Sequence, residues 1–257
     1  MTLNKSDKVA QHFKDVKKRI SKQSSNQALQ SAAQNFIQES HAAKYSYNFT
    51  WLGRPIIQYP EDILAVQEIV WKCKPDIVIE TGIAHGGSLI LSASLLSLLD
   101  IQDGISPSES IRTVIGIDVD IRDYNRVEIV NHFLSSKINL FEGSSIDESI
   151  VAQVNKLIWP GAKVMVFLDS NHSHEHVLKE LELYSKFVSQ DSYLVVFDTV
   201  VEELPKGSQS ERPWDVGNNP MTALKQWLPL NSEFQIDNSI TNKILITVAR
   251  DGYLYKC

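Results

Sequence analysis

Cysteine is scarce in this chain of 257 residues. Cys73 and Cys257 are the only two, so neither a disulfide framework nor the paired spacing of a zinc site is available. Positive charge is short as well: 25 Lys and Arg face 31 Asp and Glu, a formal net charge of −6. That balance offers no broad basic field, and nucleic acid is not an expected partner. No apolar run approaches the ~20 residues of a membrane span, and the stretch from Met1 to Lys8 has no signal-peptide core. A cytoplasmic protein with no membrane span is expected. The glycine signatures of pyrophosphate binding are missing too. Gly82 is followed by Ile83-Ala84-His85 before Gly86, which is not G-x-G-x-x-G, and no Gly-Lys-Ser/Thr follows as a P-loop would need.

What is present is enough apolar residue, 43%, to bury one substantial α/β core. The expected division is an N-terminal helical extension over 1–45 and one catalytic domain over 46–257. In the extension Val9, Phe13, Val16 and Ile20 recur at helical spacing among basic residues, a stripe suited to an oligomer or core contact, and a homo-oligomer is an expectation. Residues 45–55 form an aromatic segment able to cover a small-molecule pocket. Beyond it, helices and strands alternate. Helices are predicted over 60–71, 88–99, 125–134, 150–157, 174–187 and 222–227. Strands are predicted over 77–80, 113–118, 138–142, 163–168, 193–197 and 243–250. The near-continuous apolar strands imply a doubly wound, Rossmann-like parallel sheet with helices on both faces, whose ligands sit at the carboxyl ends of the strands. Loops are expected at 100–110 and 205–219.

The stretch from Ile77 to Ser88 carries the first chemistry. An apolar strand ends in Glu80, enters a turn with glycines at 82, 86 and 87, and passes to Ser88, a candidate cap for the next helix. The next strand ends at Asp118, where an acid can accept bonds from ribose hydroxyls. Glu80, a loose glycine turn and Asp118 suit a nucleoside with a zwitterionic tail, of which S-adenosylmethionine is the commonest. The strands over 163–168 and 193–197 deliver Asp169 and Asp198-Thr199 to the same edge. Carboxylates at adjacent strand tips, with a side-chain oxygen, make an oxygen-rich site for a hard cation such as magnesium. His172, His174 and His176 are scattered by the helix beginning near 174, which argues against zinc. Ser173 is placed as the cap of that helix.

Three segments carry a family likeness: Glu-Thr-Gly-Ile-Ala-His-Gly-Gly-Ser at 80–88, Leu-Asp-Ser-Asn-His-Ser-His-Glu-His at 168–176, and Tyr-Leu-Val-Val-Phe-Asp-Thr at 193–199. From about Trp51 to Tyr253 the chain resembles the cephalosporin hydroxylase/rhamnosyl O-methyltransferase family. The resemblance implies a class I, S-adenosylmethionine-dependent, magnesium-assisted O-methyltransferase. It implies that Glu80, Gly82 and Ser88 make the methionine and turn contacts, that Asp118 meets the ribose, and that the loop of Ser145 flanks the adenine. Asp169, also counted with the cofactor contacts, and Asp198 match metal-ligand positions, with Thr199 where a third oxygen often sits. Family members often carry an acidic pair at that second site, whereas here Phe197 precedes Asp198. His172, three residues after Asp169, lies where related catechol enzymes place their base, and is the expected general base. The expected acceptor is a small molecule or glycan with vicinal hydroxyls, a sugar first and a phenolic metabolite second. The alternatives are a nucleotide-dependent oxidoreductase or hydroxylase and a non-catalytic S-adenosylmethionine-binding protein.

Overall fold

Strands buried on both faces read as near-continuous apolar runs, and the central strands of this chain do so apart from the buried Glu80 and Thr81. In the computed structural model, which describes residues 5–209 and 211–257, β3 (Ile77–Thr81) and β6 (Val164–Leu168) are buried throughout. Alternate side chains feed two cores. Val78, Met165 and Val195 pack with Val66, Ile69, Leu89 and Leu96 on one face, while Ile77, Ile79 and Val166 pack with Val154, Leu181 and Leu224 on the other. Helices α3 (Pro60–Cys73) and α4 (Gly87–Asp103) therefore cover one side of the sheet, and α6 (Glu148–Lys156), α7 (His174–Tyr184) and α8 (Pro220–Trp227) the other.

Among the described residues the main sheet has seven strands. With β4 (Thr113–Asp118), β5 (Ile138–Glu142), β7 (Tyr193–Val196), β8 (Phe234–Ile236) and β9 (Tyr253–Lys256), the order is β5-β4-β3-β6-β7-β9-β8. The pairs from β5 to β7 are parallel, while β9 is antiparallel to both of its neighbours. The order reverses between β3 and β6, so a crevice opens at their carboxyl ends. A separate antiparallel hairpin, β1 (Phe49–Trp51) and β2 (Arg54–Ile56), forms within the aromatic segment.

Helices α1 (Lys5–Ser24) and α2 (Gln27–Ala42) precede the sheet domain. Ile37 of α2 packs on Val200 and Leu204. The α1 stripe is only half used, with Val16 and Ile20 partly buried but Val9 and Phe13 58% and 62% exposed. Residues 1–4 and Ser210, which the N-terminal helix and the 205–219 loop were expected to include, lie outside the described residues. Among the described residues no helix is long and apolar enough to cross a membrane.

Several boundaries differ from the sequence reading. The strand predicted over 243–250 does not form: α9 (Asn238–Ile244) ends there, and Leu245 turns at φ 63°. The segment after it is a loop, because Val248 N–H (2.9 Å) and Thr247 Oγ1 (2.5 Å) donate to the fully buried Asp62. Ile246 and Val248 pack against the α2 cluster instead of joining a ladder. Helix α4 runs on to Asp103, into the expected loop, and stops at Gly104. Ser88 is not its cap. The capping position is Gly86, and Gly87 is required because a Cβ there would lie 2.2 Å from Pro55 O. Helix α5 (Asp123–Val130) ends four residues earlier than predicted.

Candidate active site

The carboxyl edge of the parallel strands opens into a cavity of about 1010 Å³. Its walls include Gly82, Ser88, Asp118, Ser145, Asp169, His172 and Asp198, which brings six of the expected cofactor and metal residues and the expected base to one space. Asp118 Oδ2 accepts from Ile83 N–H (2.9 Å) and Ala84 N–H (3.4 Å), so this strand-tip acid also holds the glycine turn in shape. Ser145 is buried, and its hydroxyl lies 3.0 Å from His176 Nε2.

Gly82 acts through packing. With φ at +81°, a Cβ would stand 2.1 Å from the main-chain oxygen of Asp169. Only glycine lets the β3 turn cross the β6 tip this closely. The backbone of Asp169 is thereby set by its neighbour strand, and Asp169 N–H donates to Thr81 O (2.9 Å).

Glu80 lies behind the cavity wall. It is 2% exposed, accepts from Ser88 Oγ, and lines a small inner cavity with Gln58, Asp62, Phe167, Asp169 and Phe197. Burial pushes its carboxyl up to about 8, with the nearby Asp118 charge adding to the rise against the Ser88 bond.

Asp169, His172 and Asp198 form the chemical centre. One donor atom from each lies within 4.8 Å of the other two, the one such group of metal-binding side chains among the described residues. His172 Nε2 is 2.8 Å from Asp198 Oδ2. Asp198 reaches the site from a left-handed backbone conformation, φ 53°, one residue beyond Phe197, which follows β7. Burial drives the Asp169 carboxyl well above its ordinary range, helped by the charges of Asp198, Glu80, Asp62 and Glu180. At Asp198 burial acts in the same direction, but the charge and hydrogen bond of His172, with His41, outweigh it and hold that carboxyl low. Two carboxylates and an imidazole facing one point, with four acids repelling one another around Asp169, fit a cation whose charge relieves that repulsion.

Thr199 does not join them. Its hydroxyl is fully buried and donates to Arg250 O (2.5 Å) and Val248 O (3.3 Å). The other histidines diverge: His174 bonds Thr222 and Gln226 on α8, and His176 lies against Ser145 and Ser170. Ser173 holds the N-terminal position of α7, but its hydroxyl bonds Asn171 Oδ1 (2.7 Å) rather than capping the helix. Two participants carry no motif in the sequence. Gln58 donates to Asp169 Oδ2 (3.0 Å), and the Trp214 ring stands edge-on to His172 with centroids 4.8 Å apart.

The family model for rhamnosyl O-methyltransferase/CmcI matches residues 43–257. The chain belongs to that family. The rhamnosyl O-methyltransferase of Mycobacterium leprae (strain TN) is 25% identical over 228 residues, covering 86% of this chain and 90% of that protein. Its counterpart in Mycobacterium tuberculosis (strain ATCC 25618 / H37Rv) is 26% identical over 239 residues, covering 88% and 89%. A CmcI structure with Mg and SAM superposes with a TM-score of 0.56 at 15% identity over 82% of this chain and 77% of that one. A putative caffeoyl-CoA O-methyltransferase from Staphylococcus aureus gives 0.52 at 14% identity over 79% and 84%. These two likenesses confirm the class I methyltransferase fold. The protein is an S-adenosylmethionine-dependent O-methyltransferase of the rhamnosyl O-methyltransferase/CmcI family, which sets aside the oxidoreductase alternative.

Proposed function

We propose that this methyltransferase acts on a hydroxyl of a sugar or glycoside bearing a neighbouring hydroxyl, beside a magnesium ion held by Asp169 and Asp198. The observation that carries the reading is the convergence of Asp169, His172 and Asp198 within 4.8 Å at the tips of adjacent strands, in the cavity that also holds the glycine turn and Asp118. The sugar rests on the relatives, whose names specify rhamnosyl acceptors, and the ion on the donor set and on the CmcI structure with Mg. When bound, the cofactor supplies an electrophilic methyl group and the cation a Lewis acid that lowers the pKa of a chelating hydroxyl. The remaining work falls to the chain. Asp118 and the Gly82 turn hold the nucleoside and methionine ends, with Ser88 and Ser145 along the same wall. His172, whose Nε2 lies 2.8 Å from Asp198 Oδ2, takes the acceptor's proton, the general-base role that an imidazole commonly fills. Fixing donor and acceptor in line supplies most of the remaining acceleration.

The 4.8 Å cluster favours a second reading of His172, as a third ligand in the place that Thr199 does not fill. One experiment separates them. As a base, His172→Ala should lower turnover ~10²–10⁴-fold with magnesium affinity unchanged; as a ligand, it should weaken magnesium binding in direct titration. Asp169→Asn should lose turnover that excess magnesium partly restores. Full activity in chelator would remove the ion from the reaction, and inertness toward every vicinal diol would remove the acceptor class.

A further inference from the structure

A sugar acceptor leaves the question of its charge, and the cavity wall made by the end of α2 and the 205–214 loop bears on it. That wall carries His41, Lys44, Tyr47, Gln209, Arg212 and Trp214. His41 Nε2 and Gln209 Nε2 lie 2.8 Å apart and join its two halves. Among the described residues, five of the chain's seven arginines have a carboxylate partner: Arg54, Arg112, Arg122, Arg126 and Arg250. Arg212 has none among the described residues. Its guanidinium lies 5.4 Å over the Trp214 ring, which in turn meets His172. Lys44, turned at φ 53° just past α2, also lacks a carboxylate partner among the described residues. Glu211 is the one acid that these two segments contribute to the lining, while Asp118, Asp169 and Asp198 line the cavity from the strand tips, where the cofactor and cation would meet them.

Two cations without a carboxylate partner among the described residues share the cavity wall with an indole that stands against the proposed base, and together they make a recognition surface of definite chemistry. Arginine presents planar donors that match an oxyanion, and lysine adds a point charge. An indole offers a rigid apolar face to a ring. Building on the proposed acceptor class, we infer that the methyl acceptor is anionic, a ring bearing a carboxylate or a phosphate. Its ring packs on Trp214 and its oxyanion meets Arg212 and Lys44.

The test is calorimetric titration of the full chain loaded with S-adenosylhomocysteine and magnesium. The probes are methyl glucoside, methyl glucuronide, glucose 1-phosphate, catechol and 3,4-dihydroxybenzoate. The glucuronide or the sugar phosphate should bind about 10-fold tighter than the glucoside, as loss or gain of one charge-assisted hydrogen bond implies. Whichever of the two gains identifies the oxyanion. The double variant Arg212→Gln, Lys44→Gln should erase that gain without changing affinity for S-adenosylhomocysteine. Trp214→Ala should weaken charged and neutral sugars alike, with Trp214→Phe restoring part. Equal affinity for charged and neutral probes in both series, or an advantage that survives the double variant, would overturn the inference. If dihydroxybenzoate outbinds catechol while no sugar binds, the anionic acceptor stands and the sugar reading fails.

Discussion

Replacing Glu80 by glutamine should change how stability depends on pH more than it changes the fold. Glu80 is buried at the end of β3, and burial raises its carboxyl from 4.5 to about 8. Between those values the folded chain holds a proton that the unfolded chain has released, so folding weakens as pH rises. The slope for one proton is ~1.4 kcal/mol per pH unit, and across the whole interval the loss reaches about 5 kcal/mol. Above about pH 8 the contribution is flat, because both states are then ionised. Glutamine copies the volume and neutrality of the protonated acid and does not titrate. Asp62, raised to about 6, and Asp169 push the wild-type curve the same way, so the informative quantity is the difference between the two proteins. Urea unfolding at half-unit steps from pH 5 to 9, without cofactor and with chelator, should show Glu80→Gln gaining on wild type steadily up to about pH 8 and holding the gain beyond it. Parallel curves would mean that Glu80 is ionised inside the fold, and the desolvation argument would fail.

Gly82→Ala places a Cβ 2.1 Å from Asp169 O at φ +81°, so it should cost more than the ~1–2 kcal/mol of a left-handed alanine and weaken magnesium binding as well, by denaturation and metal titration. Wild-type stability would show that the two strand tips are not in contact. Asp118→Ala removes the acceptor of the Ile83 and Ala84 N–H groups as well as the proposed ribose contact, and should weaken S-adenosylmethionine binding by about 1–3 kcal/mol. An unchanged dissociation constant would take Asp118 out of the cofactor site.

The central strands were readable because burial on both faces forces continuous apolar sequence, and five of the six predicted strands formed within a residue of their predicted ends. The sixth, over 243–250, was apolar for another reason: Ile246 and Val248 pack against the α2 cluster, while Thr247 Oγ1 and Val248 N–H donate to Asp62. Period and composition cannot tell an apolar loop from an edge strand. Strand β8, only three residues long, offered no run to find. The site followed the same division. Asp118, Asp169 and Asp198 were legible because parallel topology gathers strand tips. Gln58, Lys44, Arg212 and Trp214 were not, since they arrive from segments without periodicity and meet the site only in three dimensions. Thr199 is expected as an oxygen ligand, and its hydroxyl donates to Arg250 O just past the left-handed Asp198, a turn that no sequence rule announces. Gly82 was legible as part of a glycine turn, but not the main chain of Asp169 that stands against it.

Phe197 joins these observations. Its position is one where family members often carry an acid, and its ring is 5% exposed, 6.1 Å from Phe167, against the inner cavity shared by Glu80, Asp62 and Asp169. A carboxylate there would enter a space in which burial already drives Glu80 to about 8 and Asp62 to about 6. It would also raise Asp169 further, so the phenyl relieves repulsion that an acid would compound. The consequence falls on the proposed cation, which is left two carboxylates and an imidazole within 4.8 Å of one another. A hard ion seeks six or more oxygens, and the chain supplies few. The two hydroxyls of a chelating acceptor would fill positions that the protein leaves open, so ion and acceptor should each bind more tightly in the presence of the other.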